Sequence, residues 1–138
     1  MGQKENIETQ KKFGEAVNSG KLEGLREVVA PNCVDHDSAP GQVRGPEGFV
    51  HFFTYFREAF PDLKVEPEAL VADENNVTLA YTITGTHKGS FHGIPATGKK
   101  IKARGVQIGR FEKGKLVERW GSSDELGILK EIGAWREG

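Results

Sequence analysis

The sequence predicts an α+β domain in which helices pack on one face of a bent, mostly antiparallel sheet that encloses a pocket. Three observations predict it. Helix-period segments come first and period-two segments follow, which is the order of an α+β chain and not of alternating βα units. One helix carries a stripe of five phenylalanines, Phe49, Phe52, Phe53, Phe56 and Phe60, broad enough to face a core. A later strand changes its apolar parity at a glycine, as a bent or bulged strand does. The length of 138 residues suits a single domain spanning 1–138.

Residues 4–19 place Ile7, Phe13 and Val17 among charged residues, with Phe13 and Val17 one helical step apart. This reads as an amphipathic helix stopped by Gly20. Residues 22–29 read as a second, short helix ended by Pro31. A short extended piece over 33–37 and a Gly- and Pro-containing loop over 38–45 follow. Pro46 and Glu47 suit the first turn of the helix over 46–60, and Pro61 closes it. The Phe stripe of this helix is core, and Phe53 and Phe56 are the rings expected at the pocket.

After Pro61 the period changes to two. A strand over 63–72 and a turn at 73–76 lead to a strand over 77–84, in which Val77, Leu79, Tyr81 and Ile83 alternate with Thr78, Ala80, Thr82 and Thr84. His87 continues the apolar parity. Residues 90–98 form a loop. In the next strand, 101–111, the parity changes between Ala103 and Val106, so a bulge is expected at Gly105. A tight turn at 112–114 gives the last strand, 115–121. A final helix over 125–135 is weakened by Gly127 and Gly133.

Composition excludes several classes. Lys plus Arg number 19 and Asp plus Glu 20, a formal net charge of −1. That balance speaks against nucleic-acid binding and against a polybasic membrane surface. Cys33 stands alone, so no internal disulfide forms and no Cys-based zinc site is available. The N-terminal residues are polar, without an apolar signal core or a myristoylation pattern. A soluble, cytoplasmic protein is expected.

Three features carry candidate chemistry. Asp124 follows the last strand in RWGSSDELG, and the run 119–124 is expected in the pocket wall. A carboxylate beside Trp120 at a pocket edge can remove a proton from a carbon next to a carbonyl. Asp124 equally suits the N-cap of the next helix, with Ser122 and Glu125 an alternative capping box. The two roles are compatible, because a helix N-terminus favours the ionised carboxylate. His36, His87 and His92 match no standard metal-ligand spacing, and hydrogen bonding to a substrate oxygen suits a pocket histidine better. The run Gly93 to Lys99 has the form GxxxxGK, but Lys100 replaces the required Ser or Thr and a strand follows, so it is a loop and not a phosphate cradle. No GxSxG elbow is present, and Cys33 reads as a buried, inert thiol.

Five words extend through most of the chain: VDHD at 34–37, RGPEGF at 44–49, AFPDL at 59–63, GTHKGSFHGIPATGKKI at 85–101 and GKLVERWGSSDELGILKEIG at 114–133. In these the chain resembles the SnoaL-like polyketide cyclases, or ester cyclases, of the nuclear-transport-factor-2-like (NTF2-like, cystatin-like) superfamily. The resemblance implies a cone of helices and curved sheet. It also implies a cofactor-free intramolecular aldol cyclisation of a small hydrophobic carbonyl compound. It puts the acid/base aspartate on Asp124, with His36, His87 and Trp120 as substrate contacts. No metal is expected, and a homodimer through the sheet is. Because related cones also hydrolyse epoxides or only bind ligands, hydrolysis and non-catalytic binding or dimerisation stand as alternatives.

Overall fold

The structure is a computed structural model that describes residues 2–135. Helix α1 (Gln3–Ser19) ends at Gly20, whose N–H bonds Ala16 O at 3.1 Å. A single 3-10 turn (Leu22–Gly24) leads into α2 (Leu25–Val28), so the second helix is split and shorter than its sequence pattern suggested. Strand β1 (Val29–Asp35) starts at once, because β-branched Val28 and Val29 and the following Pro31 do not extend a helix. Helix α3 (Pro46–Ala59) has Pro46 in its first turn. Strands β2 (Lys64–Ala72), β3 (Asn76–Thr86), β4 (Lys100–Glu112) and β5 (Lys115–Ser123) form the rest of the sheet. Helix α4 (Glu125–Glu131) is shorter than the periodicity predicted, and Gly133 lies beyond it with φ of 82°.

The five strands are ordered β1-β5-β4-β3-β2. All neighbours are antiparallel except β1 with β5, which run parallel. The helices cover one face of this curled, open sheet, as the helix-then-strand order requires. Leu25, Ala59, Phe60, Val77 and Leu116 are almost fully buried where helices meet sheet. Burying a side chain the size of Phe60 or Leu25 contributes about 1.5–3 kcal/mol each.

The expected bulge at Gly105 is absent. Tyr81 pairs with Gly105 and Ala80 with Val106 in unbroken register, and every second residue of β4 from Ile101 to Phe111 is buried. The apolar parity changes because the inner face changes neighbours. Near Ile101 and Ala103 the inner face meets packed core; beyond them it carries glycines, with the Tyr81 ring against Gly105 and Leu116 and Phe111 against Gly109, and Gln107 between them meets a cavity. Val106 and Ile108 point outward, about half exposed. The sheet bends instead where register shifts, between Pro67 and Ala69 against β3 and between Arg110 and Phe111 against β5.

Candidate active site

Residues directly opposite each other across strands share a face. One row crosses the sheet as Leu70, Leu79, Gln107 and Gly121, and the next as Pro67, Tyr81, Gly105 and Ser123. Both rows face α1 and α3 across a cavity of about 1470 Å³, which all of these residues but Gly105 line. Its helical wall is aromatic: Phe13, Phe49, Phe52, Phe53 and Phe56 line it. Phe13 meets Phe49 and Phe53 edge-on at centroid distances of 5.6 and 6.1 Å, an arrangement that fixes ring orientation. Glycine at 105 is required by close approach, since a Cβ there would lie 2.5 Å from the Tyr81 ring. The ring stays flat against β4, and its hydroxyl reaches Ser123 Oγ at 2.7 Å.

The opposite end of the cavity is polar. Asp35 and Arg119 are paired in register on β1 and β5. Arg119 Nη1 donates to both Asp35 oxygens at 3.2 and 3.3 Å. The Asp35 carboxylate is only 7 % exposed, so this pair is substantially desolvated. Arg119 Nε donates to Gln107 Oε1 at 3.1 Å, and Gln107 Nε2 donates to Gln10 Oε1 at 3.4 Å. Gln42 ties the rim loop to the cluster through Asp35 Oδ2 at 3.1 Å. Two residues beyond Asp35, Asp37 lies on the cavity wall and accepts the Gly121 N–H at 2.8 Å.

This sheet, cavity and chain order have close counterparts. Residues 7–132 match the model of the SnoaL-like polyketide cyclases. The chain belongs to the SnoaL-like polyketide cyclase family. It is 28% identical over 134 residues to DauD of Streptomyces sp. (strain C5), an aklanonic acid methyl ester cyclase, covering 92% of this chain and 81% of that one. Among solved structures, IdmH of Streptomyces antibioticus, a candidate polyketide cyclase, is 31% identical with a TM-score of 0.81 over 93% of this chain and 98% of its own. AclR of Streptomyces galilaeus, a candidate hydroxylase, is 29% identical with a TM-score of 0.85 over 97% and 99%. The curled sheet closed by helices is the NTF2-like cone that the sequence words imply.

Within this SnoaL-like cavity the residues singled out from sequence are dispersed. Phe53 and Phe56 line it. His36 and Trp120 lie on the outer face of the sheet, stacked at 4.6 Å, with His36 Nε2 on Glu118 Oε2 at 2.8 Å. Period two explains this: Arg119 and Gly121 face inward, so Trp120 between them faces outward. His87 is fully buried beside Phe60, outside the cavity lining. Its Nδ1 accepts the Thr97 N–H at 3.2 Å, and its Nε2 has no partner among the described residues. Asp124 caps α4 by accepting the Gly127 N–H at 2.8 Å. It borders a separate, shallow depression with Arg104 and Leu126, while its neighbours Ser123 and Glu125 line the main cavity.

The polar cluster is not legible as a unit in the sequence, although three of its members stand in the family words, Asp35 and Asp37 in VDHD and Arg119 in ERWGSSD. The missing signal was alternation: Cys33, Asp35 and Asp37 share one parity, and His36 has the other. Among the described residues, no three His, Cys, Asp or Glu side chains converge as a metal site would require. No helix among them is long and apolar enough to cross a membrane.

Proposed function

We propose that this chain is a polyketide cyclase-type enzyme that closes a carbon ring by cofactor-free acid/base chemistry on a polyketide ester, with Asp37 as the base. One observation carries the assignment of the base. Asp37 stands on the cavity wall with one carboxylate oxygen fixed by the Gly121 N–H, and its other oxygen has no partner among the described residues. In the reaction, Asp37 takes a proton from a carbon flanked by two carbonyls. The electron pair left on that carbon attacks a ketone carbon of the same molecule and forms the new C–C bond. The ketone oxygen becomes an alkoxide and receives the proton back, so no oxidant or reductant is consumed. The aromatic wall suits a flat, unsaturated ligand. The cavity, at about 1470 Å³, has room for a multi-ring substrate. The ester is suggested by DauD, named for a methyl ester substrate.

The resemblance puts the base on Asp124, but that carboxylate borders a different depression, with Arg104 and Leu126, and does not line the main cavity. The reading therefore moves the proton transfer to Asp37. Exchange of the acidic carbon-bound proton in heavy water, followed by NMR with a panel of β-keto esters, tests it. Asp37→Asn should lower exchange by about two orders of magnitude or more. Undiminished exchange in Asp37→Asn, with loss in Asp124→Asn, would return the role to Asp124.

The capped state of Asp124 favours one second reading, a non-catalytic binder of the same ligands. It predicts saturable binding with no exchange in the wild type. A homodimer through the sheet belongs to the proposal as well. Val71, Thr78, Ile108 and Trp120 form an outward row across four strands. Lys102, Arg104, Arg110 and Glu118 flank it with both signs of charge, which suits a second copy of the same face.

A further inference from the structure

We propose that Arg119 and Gln10 form an oxygen-recognition site that takes the ester carbonyl or enolate oxygen of the substrate and makes the cavity selective for acidic or ester oxygens. The proposal rests on the cyclase reading only for the identity of that oxygen. The hydrogen-bond directions determine which donors remain. Asp35 accepts only, and it occupies Arg119 Nη1. Gln107 accepts from Arg119 Nε through its oxygen, so its amide nitrogen is the atom that donates to Gln10 Oε1. Gln10 thereby keeps its own NH₂ group unused, and Arg119 keeps Nη2; neither atom has a hydrogen-bond partner among the described residues. Both residues line the cavity.

The glycine at position 121 makes the arrangement possible. A Cβ there would lie 2.5 Å from Arg119 Nη2 and 2.7 Å from its Cζ. The guanidinium end thus occupies the space a side chain at 121 would fill, on the cavity side of β5. Gly121 also donates its N–H to Asp37. The base and the donor therefore flank one residue, yet no ion pair joins Asp37 to Arg119 among the described residues. A carbonyl oxygen on Nη2 would bring its neighbouring carbon toward Asp37. Asp35 balances the charge of Arg119 and fixes its planar fork, so the free edge is held in place before a ligand arrives. Donors so fixed bind an oxygen more tightly as negative charge builds on it.

Three probes of one shape test this by titration calorimetry: 2-naphthoate, methyl 2-naphthoate and 2-ethylnaphthalene. Wild type should bind the carboxylate about tenfold or more tighter than the hydrocarbon, with the ester between them. Arg119→Gln should erase that preference, bringing the carboxylate to within about twofold of the hydrocarbon. Because Arg119→Gln strips a desolvated carboxylate of its partner, Gly121→Ala serves as a second variant. It keeps Arg119 and Asp35 but places a methyl group 2.5 Å from the present position of Nη2, which displaces that nitrogen, and it should lose the same preference. Failure of wild type to bind 2-naphthoate, or equal affinities for all three probes, overturns the site. So does a preference that survives in both variants. The assay reads binding alone. Selectivity without proton exchange in wild type would sink the cyclase reading and leave this site standing, whereas exchange without selectivity would do the reverse.

Discussion

Replacing Asp124 separates a helix cap from a base, because the two roles respond differently to Asn and to Ala. The Asp124 carboxylate accepts one backbone N–H, from Gly127 at 2.8 Å. Losing such a cap costs about 1 kcal/mol. Helix α4 has only seven residues, but Ile128 and Ile132 are 1 % and 2 % exposed and anchor it to the sheet. Their burial contributes roughly 3–6 kcal/mol, so the helix stays docked when the cap is gone. Asp124→Ala should therefore lower the melting temperature by about 3–5 °C for a domain of this size. Asp124→Asn keeps an acceptor oxygen and should melt within about 1–2 °C of wild type. Proton exchange on a β-keto ester, measured below the melting transition, should stay within about twofold of wild type in both variants. The reasoning fails if Asp124→Asn melts normally yet loses about a hundredfold in exchange. That result would mean the carboxylate reaches substrate and that the cap is secondary.

Three further outcomes follow from the outer face and the core. The Glu118 carboxyl is held below its ordinary value of 4.5, first by the His36 hydrogen bond and then by that of Arg110. A depressed folded value gives stability that is full above about pH 4.5 and is lost as the pH falls through the lowered value. Urea midpoints at about pH 6.5 and 3.5 should therefore differ less in Glu118→Gln than in wild type; equal differences would rule out this linkage. The Cys33 thiol is pushed up to about 12, by burial first and then by the charges of Asp35 and Glu118. It should react with a disulfide reagent near pH 8 only on unfolding, and labelling at the rate of a free thiol would contradict its burial. Ile108→Glu adds a charge in the middle of the outward apolar row and should convert a dimer to monomer in sedimentation, with naphthoate affinity unchanged. A wild type that sediments as a monomer at all concentrations would remove the dimer from the proposal.

Periodicity alone was enough for the α+β order, the Phe-striped helix, the hairpin turn at 112–114 and the alternation of β3. Each depends on near neighbours in the chain, and local sequence encodes them. Sequence words also carried the family. They did not say which way each side chain faces once the strands are paired. Val106 and Ile108 look like core residues and Gln107 like a surface residue, yet the first two point outward and Gln107 points into the cavity. The apolar-inside rule fails there because the inner face borders a cavity and not a packed core. The same parity sends Trp120 and His36 outward and brings Arg119, Gly121, Asp35 and Asp37 to one wall.

The sequence by itself determined the class of fold, the family and the kinds of side chain available. Only the tertiary structure decided that Asp35 and Asp37 meet the cavity and that Asp124 does not. That choice depends on a parallel pairing between residues 84 positions apart, Asp35 and Arg119. No local pattern contains that pairing, because it exists only once the first and last strands lie side by side.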